Sequence, residues 1–194
     1  LRENFDCTTS QGRMLITIFM ALYQFERETT SERTRLNMRA RARRGLYNGG
    51  AKPLGYLPDH DRKGHLVINE AEASIIRTIF EFYLDTGSVH ETVRKLKEAG
   101  IKRPAYVSSK GKSHPARPVK WDAVRGILTN PTYVGRKEVN RKNRSLSPEA
   151  MQALPEEERY DTVPAVWEPL VEQQTFDRAQ ALLKENDATH HNSA

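Results

Sequence analysis

The chain has 194 residues, 37% of them hydrophobic and 29% charged, with a formal net charge of +6. Its apolar residues fall into periodic runs, which excludes a disordered polymer, and no run approaches the roughly 20 residues that span a bilayer. A single cysteine, Cys7, excludes an internal disulfide and a cysteine zinc site, and fits a reducing, cytoplasmic setting.

The opening Leu1-Arg2-Glu3-Asn4 is no signal peptide, lacks an initiator Met, and reads as the interior of a longer chain. One long helix follows, Ser10 to Arg44. Met14, Leu15, Ile18, Phe19, Leu22 and Phe25 recur at three- and four-residue spacing and form an apolar stripe that stops at Phe25. Beyond it arginines surround the helix. Arg33, Asn37, Arg41 and Arg44 share one face; Arg35 and Arg39 lie on another. Such a segment has no stripe to fold against a core and suits an arm crossing a phosphate backbone. Gly45 and Asn48-Gly49-Gly50 end the helix and begin a flexible linker. Gly55-Tyr56-Leu57 and His65-Leu66-Val67-Ile68 flank a turn-rich Pro58–Gly64 and predict a hairpin.

A second helix opens at Asn69, with Glu72 placed for a capping box, turns Ile75, Ile76, Ile79, Phe80 and Tyr83 inward, and stops at Gly87. A third opens at Ser88, with Glu91 as reciprocal partner and Val93 and Leu96 in the core; Gly100-Ile101 fits a Schellman end. Lys102 to Lys120 reads as a long polar loop. A short fourth helix spans Trp121 to Thr129, with Val124, Ile127 and Leu128 inward, and Asn130-Pro131 ends it. Tyr133 to Val139 reads as a strand, Ser145 to Arg159 as a polar excursion with one short helix after Ser147-Pro148, and Val163 to Trp167 as extended. A last helix, Glu172 to Glu185, presents Phe176, Ala179 and Leu182 or Leu183 on one side; His190 to Ala194 reads as frayed.

Charge is distributed in blocks. Between Arg33 and Lys52 there are seven basic residues and no acidic one; between Arg94 and Arg125, ten basic and two acidic. From Ser145 to Asp187 the balance reverses, ten acidic to three basic. Two basic blocks beside an acidic one suggest a polyanion footprint, against the plainer reading of solvated faces. The two capped helices, the basic loop and the Trp121 helix suggest an elaborated relative of helix-turn-helix binders, against an ordinary three-helix bundle. His60, His65, His90, His114, His190 and His191 lack metal-ligand spacing, and no metal is expected. Glu156-Glu157-Glu158 reads as a solvated run. Trp121 and Trp167 sit where core residues would.

The motifs resemble a known family. Gly12-Arg13, Phe25-Glu26-Arg27-Glu28 and Ser31-Glu32-Arg33 resemble the end of the catalytic domain of serine recombinases, on the long dimer-forming helix. Pro53-Leu54-Gly55-Tyr56, Ile75 to Tyr83, Leu96 to Ile101, Trp121 and Ile127 to Gly135 resemble the recombinase domain of the large members, phage integrases and transposon recombinases. Val163 to Leu183 is similar to the segment before their zinc ribbon.

The resemblance implies a mainly α chain with small β hairpins (α+β). Residues 1–45 would be the C-terminal remnant of the catalytic domain, 46–54 a linker, and 55–188 the DNA-binding domain. It implies a parent enzyme that cuts and rejoins DNA through a phosphoserine intermediate, its nucleophile upstream of Leu1. Neither Ser10 nor Ser31 matches that serine, so this piece is expected to be inactive alone. Arg27, Glu32 and Arg33 match positions near the active site. Leu15, Ile18, Phe19, Leu22 and Phe25 would form a homodimer face, with a tetramer in the parent's synaptic complex. No cofactor is expected here, zinc belonging to the downstream ribbon, and no membrane partner.

The expected partner is a double-stranded attachment site. Asn48 to Pro53 would track the minor groove, and the basic loop and Trp121 helix the major groove. Arg117, Lys120, Asp122 and Arg125 are candidate base readers; Arg41, Arg43, Arg44, Lys52, Lys110 and Lys112 are candidate backbone contacts. The rivals are a non-enzymatic transcription regulator and a protein-interaction module, neither of which needs the Phe25–Arg33 pattern.

Overall fold

A computed structural model describes residues 9–107 and 111–191, mainly helical with four small antiparallel strand pairs. Helix α1 (Ser10–Arg43) runs unbroken through the apolar stripe and the arginine-rich stretch. The chain divides into two compact units after Ala40, so the last arginines of α1 belong to the second. Within the first unit the stripe is exposed, from 42% at Leu15 to 67% at Phe25.

The second unit is built on four helices, α2 (Glu70–Thr86), α3 (Val89–Glu98), α4 (Trp121–Leu128) and α6 (Gln173–His191). Helix α2 packs on the other three, and α4 also meets α3 and α6. Ile76, Ile79, Phe80 and Tyr83 of α2, Leu96 of α3, Val124 and Leu128 of α4, and Phe176, Ala179 and Leu183 of α6 form the core. Each large apolar side chain so buried contributes about 1.5–3 kcal/mol. Polar ties finish the packing: Gln180 donates to the Leu128 carbonyl at 2.6 Å, and Asn186 to the Gly87 carbonyl at 2.6 Å.

A hairpin of β1 (Tyr56–Pro58) and β2 (Leu66–Ile68) covers one end, with Tyr56 opposite Ile68. Tyr56 is fully buried, stacks on Tyr133 at 6.3 Å and donates to the Glu168 carbonyl at 2.7 Å. Strand β7 (Arg136–Val139) pairs with β8 (Asp161–Pro164), and the excursion between them carries the short helix α5 (Pro148–Ala153) after Ser147-Pro148, as expected. No helix among the described residues is long and apolar enough to cross a membrane.

Several expectations are corrected. The segment 102–120 is no open loop: β3 (Lys102–Arg103) pairs with β6 (Arg117–Pro118), and β4 (Tyr106–Val107) with β5 (Ser113–His114). Tyr133 lies in a 3-10 turn, Pro131–Val134, and the strand starts only at Arg136, because Pro131 suits the first position of a helical turn. Asn69 makes no side-chain cap bond; Glu72 turns away from it to accept from the Gly55 amide at 3.0 Å and from Lys52 at 2.9 Å. Ser88 does cap α3, but Glu91 pairs with Arg94 instead of reciprocating. The Schellman end holds, with Gly100 at φ +68° and the Ile101 amide bonded to the Leu96 carbonyl. Helix α6 continues to His191, past the expected end at Glu185.

The expected flexible linker is tied down. The Tyr47 amide donates to the Gly64 carbonyl at 2.7 Å, and the Val166 amide to the Gly45 carbonyl at 3.3 Å. Arg41 donates to the Tyr47 carbonyl at 3.2 Å, and the Tyr47 hydroxyl to the Gly50 carbonyl at 3.0 Å. Backbone groups that would be solvated in a linker are spent on the domain.

Candidate nucleic-acid interface

The paired segment after α3 presents its cations in register. Arg103 lies directly opposite Arg117 on the β3–β6 pair. With Pro118, Lys120, Asp122 and Ala123 they line a cleft of about 310 Å³. Lys120 is the N-cap residue of α4 and supplies no side-chain cap bond; Asp122 lies in the first turn. The outer pair, β4–β5, carries a stacked Tyr106 and His114, ring centroids 4.6 Å apart.

The exposed face of α4 adjoins this cleft through Asp122. Trp121 is 37% exposed, which corrects its expected place in the core; its ring meets His90 at 6.1 Å and the Arg125 guanidinium at 5.5 Å. Arg125 is held end-on by Asp187 of α6, at 2.8 and 3.1 Å, and that bond pushes its pKa further up. Trp167, by contrast, is buried as expected and donates to the Thr132 carbonyl at 3.2 Å.

The candidate backbone contacts divide by geometry. Arg43 and Arg44 are exposed, whereas Arg41 and Asn48 are partly buried. Lys52 is bound to the buried Glu72 and only a third exposed. Lys112 is exposed on the approach to β5, and Lys110 lies outside the described residues. In the first unit, Arg27 and Glu32 share a face of α1 with Tyr23, Gln24, Glu28, Ser31 and Arg35. Arg33 is exposed but is not among the residues lining that face. Among the described residues, no group of three or more His, Cys, Asp or Glu could hold a metal ion.

Sequence reasoning missed Arg103. Its signal is weak: Ser108, Ser109, Gly111 and Ser113 allow a turn between Lys102-Arg103 and Arg117-Pro118, but neither flank is long enough to read as a strand.

Comparisons with known proteins agree with this architecture. The Recombinase family model matches residues 70–186, and the model for the Resolvase N-terminal domain matches residues 1–47. A putative DNA recombinase of Bacillus subtilis (strain 168) is 28% identical over 93% of this chain and 36% of its own length. A crystal structure of an LSR–DNA complex superposes with a TM-score of 0.56 at 21% identity, over 78% of this chain and 38% of that one. A structure concerned with the sequence requirements of the Listeria innocua prophage attP site does so at 0.50 and 21% identity, over 81% and 51%. The chain thus spans about a third to a half of the length of these relatives. Its second unit carries the Recombinase domain. With resolvase-type sequence ahead of it, the chain belongs to the serine recombinase family.

Proposed function

We propose that this chain is the duplex-gripping part of a site-specific recombinase that cuts and rejoins DNA through a phosphoserine intermediate. The attacking serine would come from sequence outside these residues. The observation that carries the reading is the cationic cleft of Arg103, Arg117 and Lys120 beside the exposed Trp121–Asp122 turn of α4. A polyanion is the partner such a surface fits, and a helix of this size enters a major groove. Arg43 and Arg44 are exposed just before the Gly45–Pro53 segment and would contact the backbone where that segment follows a minor groove. Asp122 would accept from cytosine, and Arg125 would donate to guanine only on leaving its present partner Asp187. Phosphoryl transfer itself would rest on that serine, with Arg27, Glu32 and Arg33 of α1 supporting it.

Fluorescence anisotropy with a labelled duplex tests the reading. The logarithm of affinity should fall linearly with the logarithm of salt, with a slope of about 0.9 per phosphate neutralised. R43Q and R44Q should each flatten that slope, while K52M should change it less, because Lys52 is already paired to Glu72. Salt-independent binding, or none, would refute duplex recognition.

The exposed stripe of α1 supports a homodimer. Leu15, Ile18, Leu22 and Phe25, with Phe19 in the same stripe, present more apolar surface than a lone helix keeps in water. Sedimentation should show self-association that rises with concentration, and L22K/F25K should abolish it. A concentration-independent monomer mass for the unsubstituted chain would remove the dimer reading.

A further inference from the structure

The β3–β6 pair holds a conflict that the fold does not resolve by itself. Arg103 and Arg117 are register partners, so their side chains leave one face of the pair. Like charges in that position repel and destabilise the strands. Six other arginines of this unit, Arg62, Arg77, Arg94, Arg125, Arg141 and Arg144, pair with carboxylates. Among the described residues no carboxylate reaches ion-pair distance of Arg103, Arg117 or Lys120, although Asp122 lines the same cleft. Three cations thus line one concavity with a single carboxylate, Asp122, that is ion-paired to none of them.

We propose that Arg103, Arg117 and Lys120 form a seat for a single phosphodiester of the duplex. This rests on the reading of the chain as a duplex binder and names one of its contacts. A guanidinium fork matches two phosphate oxygens, and two forks side by side on one face can share one anion. The N-terminus of α4 opens on the same cleft, and its dipole adds to the positive potential. Asp122 opposes the anion, which restricts the seat to a phosphate delivered by other contacts along the groove. The repulsion between the two arginines persists in the free protein and is relieved only on binding.

The test is anisotropy of a labelled duplex of random sequence across a KCl series, with melting temperatures measured without DNA. If both arginines share one phosphate, R103Q/R117Q should flatten the salt slope by about 0.9 in total, not by twice that amount. R103K/R117K, which keeps charge and loses the forks, should hold the slope and weaken binding. D122N should tighten binding at every salt concentration. R103Q and R117Q should each melt about 1–2 °C above the unsubstituted chain, since the repulsion is removed.

Duplex binding with an unchanged slope in the double variant would overturn the seat and leave duplex recognition standing. So would a lowered melting temperature in both single variants, which would mark the arginines as structural. Failure of the unsubstituted chain to bind any duplex would overturn the functional reading itself. Inorganic phosphate, titrated at constant ionic strength, should displace little of the duplex; full displacement would make the seat a free-anion site and overturn its assignment to the DNA backbone.

Discussion

Gly45→Ala should destabilise the second unit by about 3 kcal/mol or more, lowering its melting temperature by roughly 6–12 °C. Two effects add. Gly45 has φ +74°, where a side chain costs about 1–2 kcal/mol. A Cβ built there would also lie 2.2 Å from the Pro164 carbonyl oxygen and 3.1 Å from the Ala165 Cα. Both are backbone atoms, so relief requires the chain ends of α1 and β8 to part. Parting them would break the bond from the Val166 amide to the Gly45 carbonyl. Gly49→Ala separates the two causes. Gly49 has φ +87° with nothing within 4 Å of a Cβ, so it should cost about 1–2 kcal/mol and no more. Urea unfolding of both variants measures the difference; equal losses would show that the close approach at Pro164 carries no weight.

The helices were readable because their signals are local. Ile76, Ile79, Phe80 and Tyr83 repeat at helical spacing and face the core, and Gly87 ends α2 in the left-handed conformation that glycine adopts without strain. What escaped was set by partners distant in sequence. Glu72 looks like a capping residue because it stands three after Asn69, yet its carboxylate goes to Gly55, seventeen residues back. Gly45 and Asn48-Gly49-Gly50 look like free linker, and the bonds to Gly64 and Val166 that restrain this stretch have no sequence signature. Two-residue strands such as Lys102–Arg103 are too short to show a period of two, so a hairpin read as a loop.

The candidate interface was legible as composition and not as geometry. A run of ten basic residues between Arg94 and Arg125 marked the right stretch. Its members nevertheless have different roles. Lys95 pairs with Asp85 and Arg94 with Glu91, whereas Arg103 and Arg117 face each other without a carboxylate. Arg125 appeared to be a free base reader, but Asp187 holds it from a helix more than sixty residues away. Trp121 appeared to belong in the core because a tryptophan at a helix start often does; here the first turn of α4 faces outward while Val124 and Leu128 face in.

Glu72→Ala should cost about 2–4 kcal/mol, close to the loss at Gly45 but for a different reason. The Glu72 side chain is 10% exposed and accepts two bonds, one from the Lys52 ammonium and one from the Gly55 amide. Truncation leaves the buried Gly55 N–H without an acceptor, and that is the larger share. Lys52 is a third exposed and can recover water, so its ion pair contributes at most about 1 kcal/mol after solvent screening. Glu72→Gln keeps an acceptor for Gly55 and should lose about 1–2 kcal/mol. Lys52→Met should lose no more than about 1 kcal/mol. Because Lys52→Met and Glu72→Ala remove one shared bond, their combination should cost less than the sum. Urea unfolding of the four variants completes the cycle. If Lys52→Met proved as damaging as Glu72→Ala, the ion pair rather than the Gly55 amide would hold this segment to α2. The small salt effect expected of Lys52 on DNA would then have to be assigned to misfolding instead of charge.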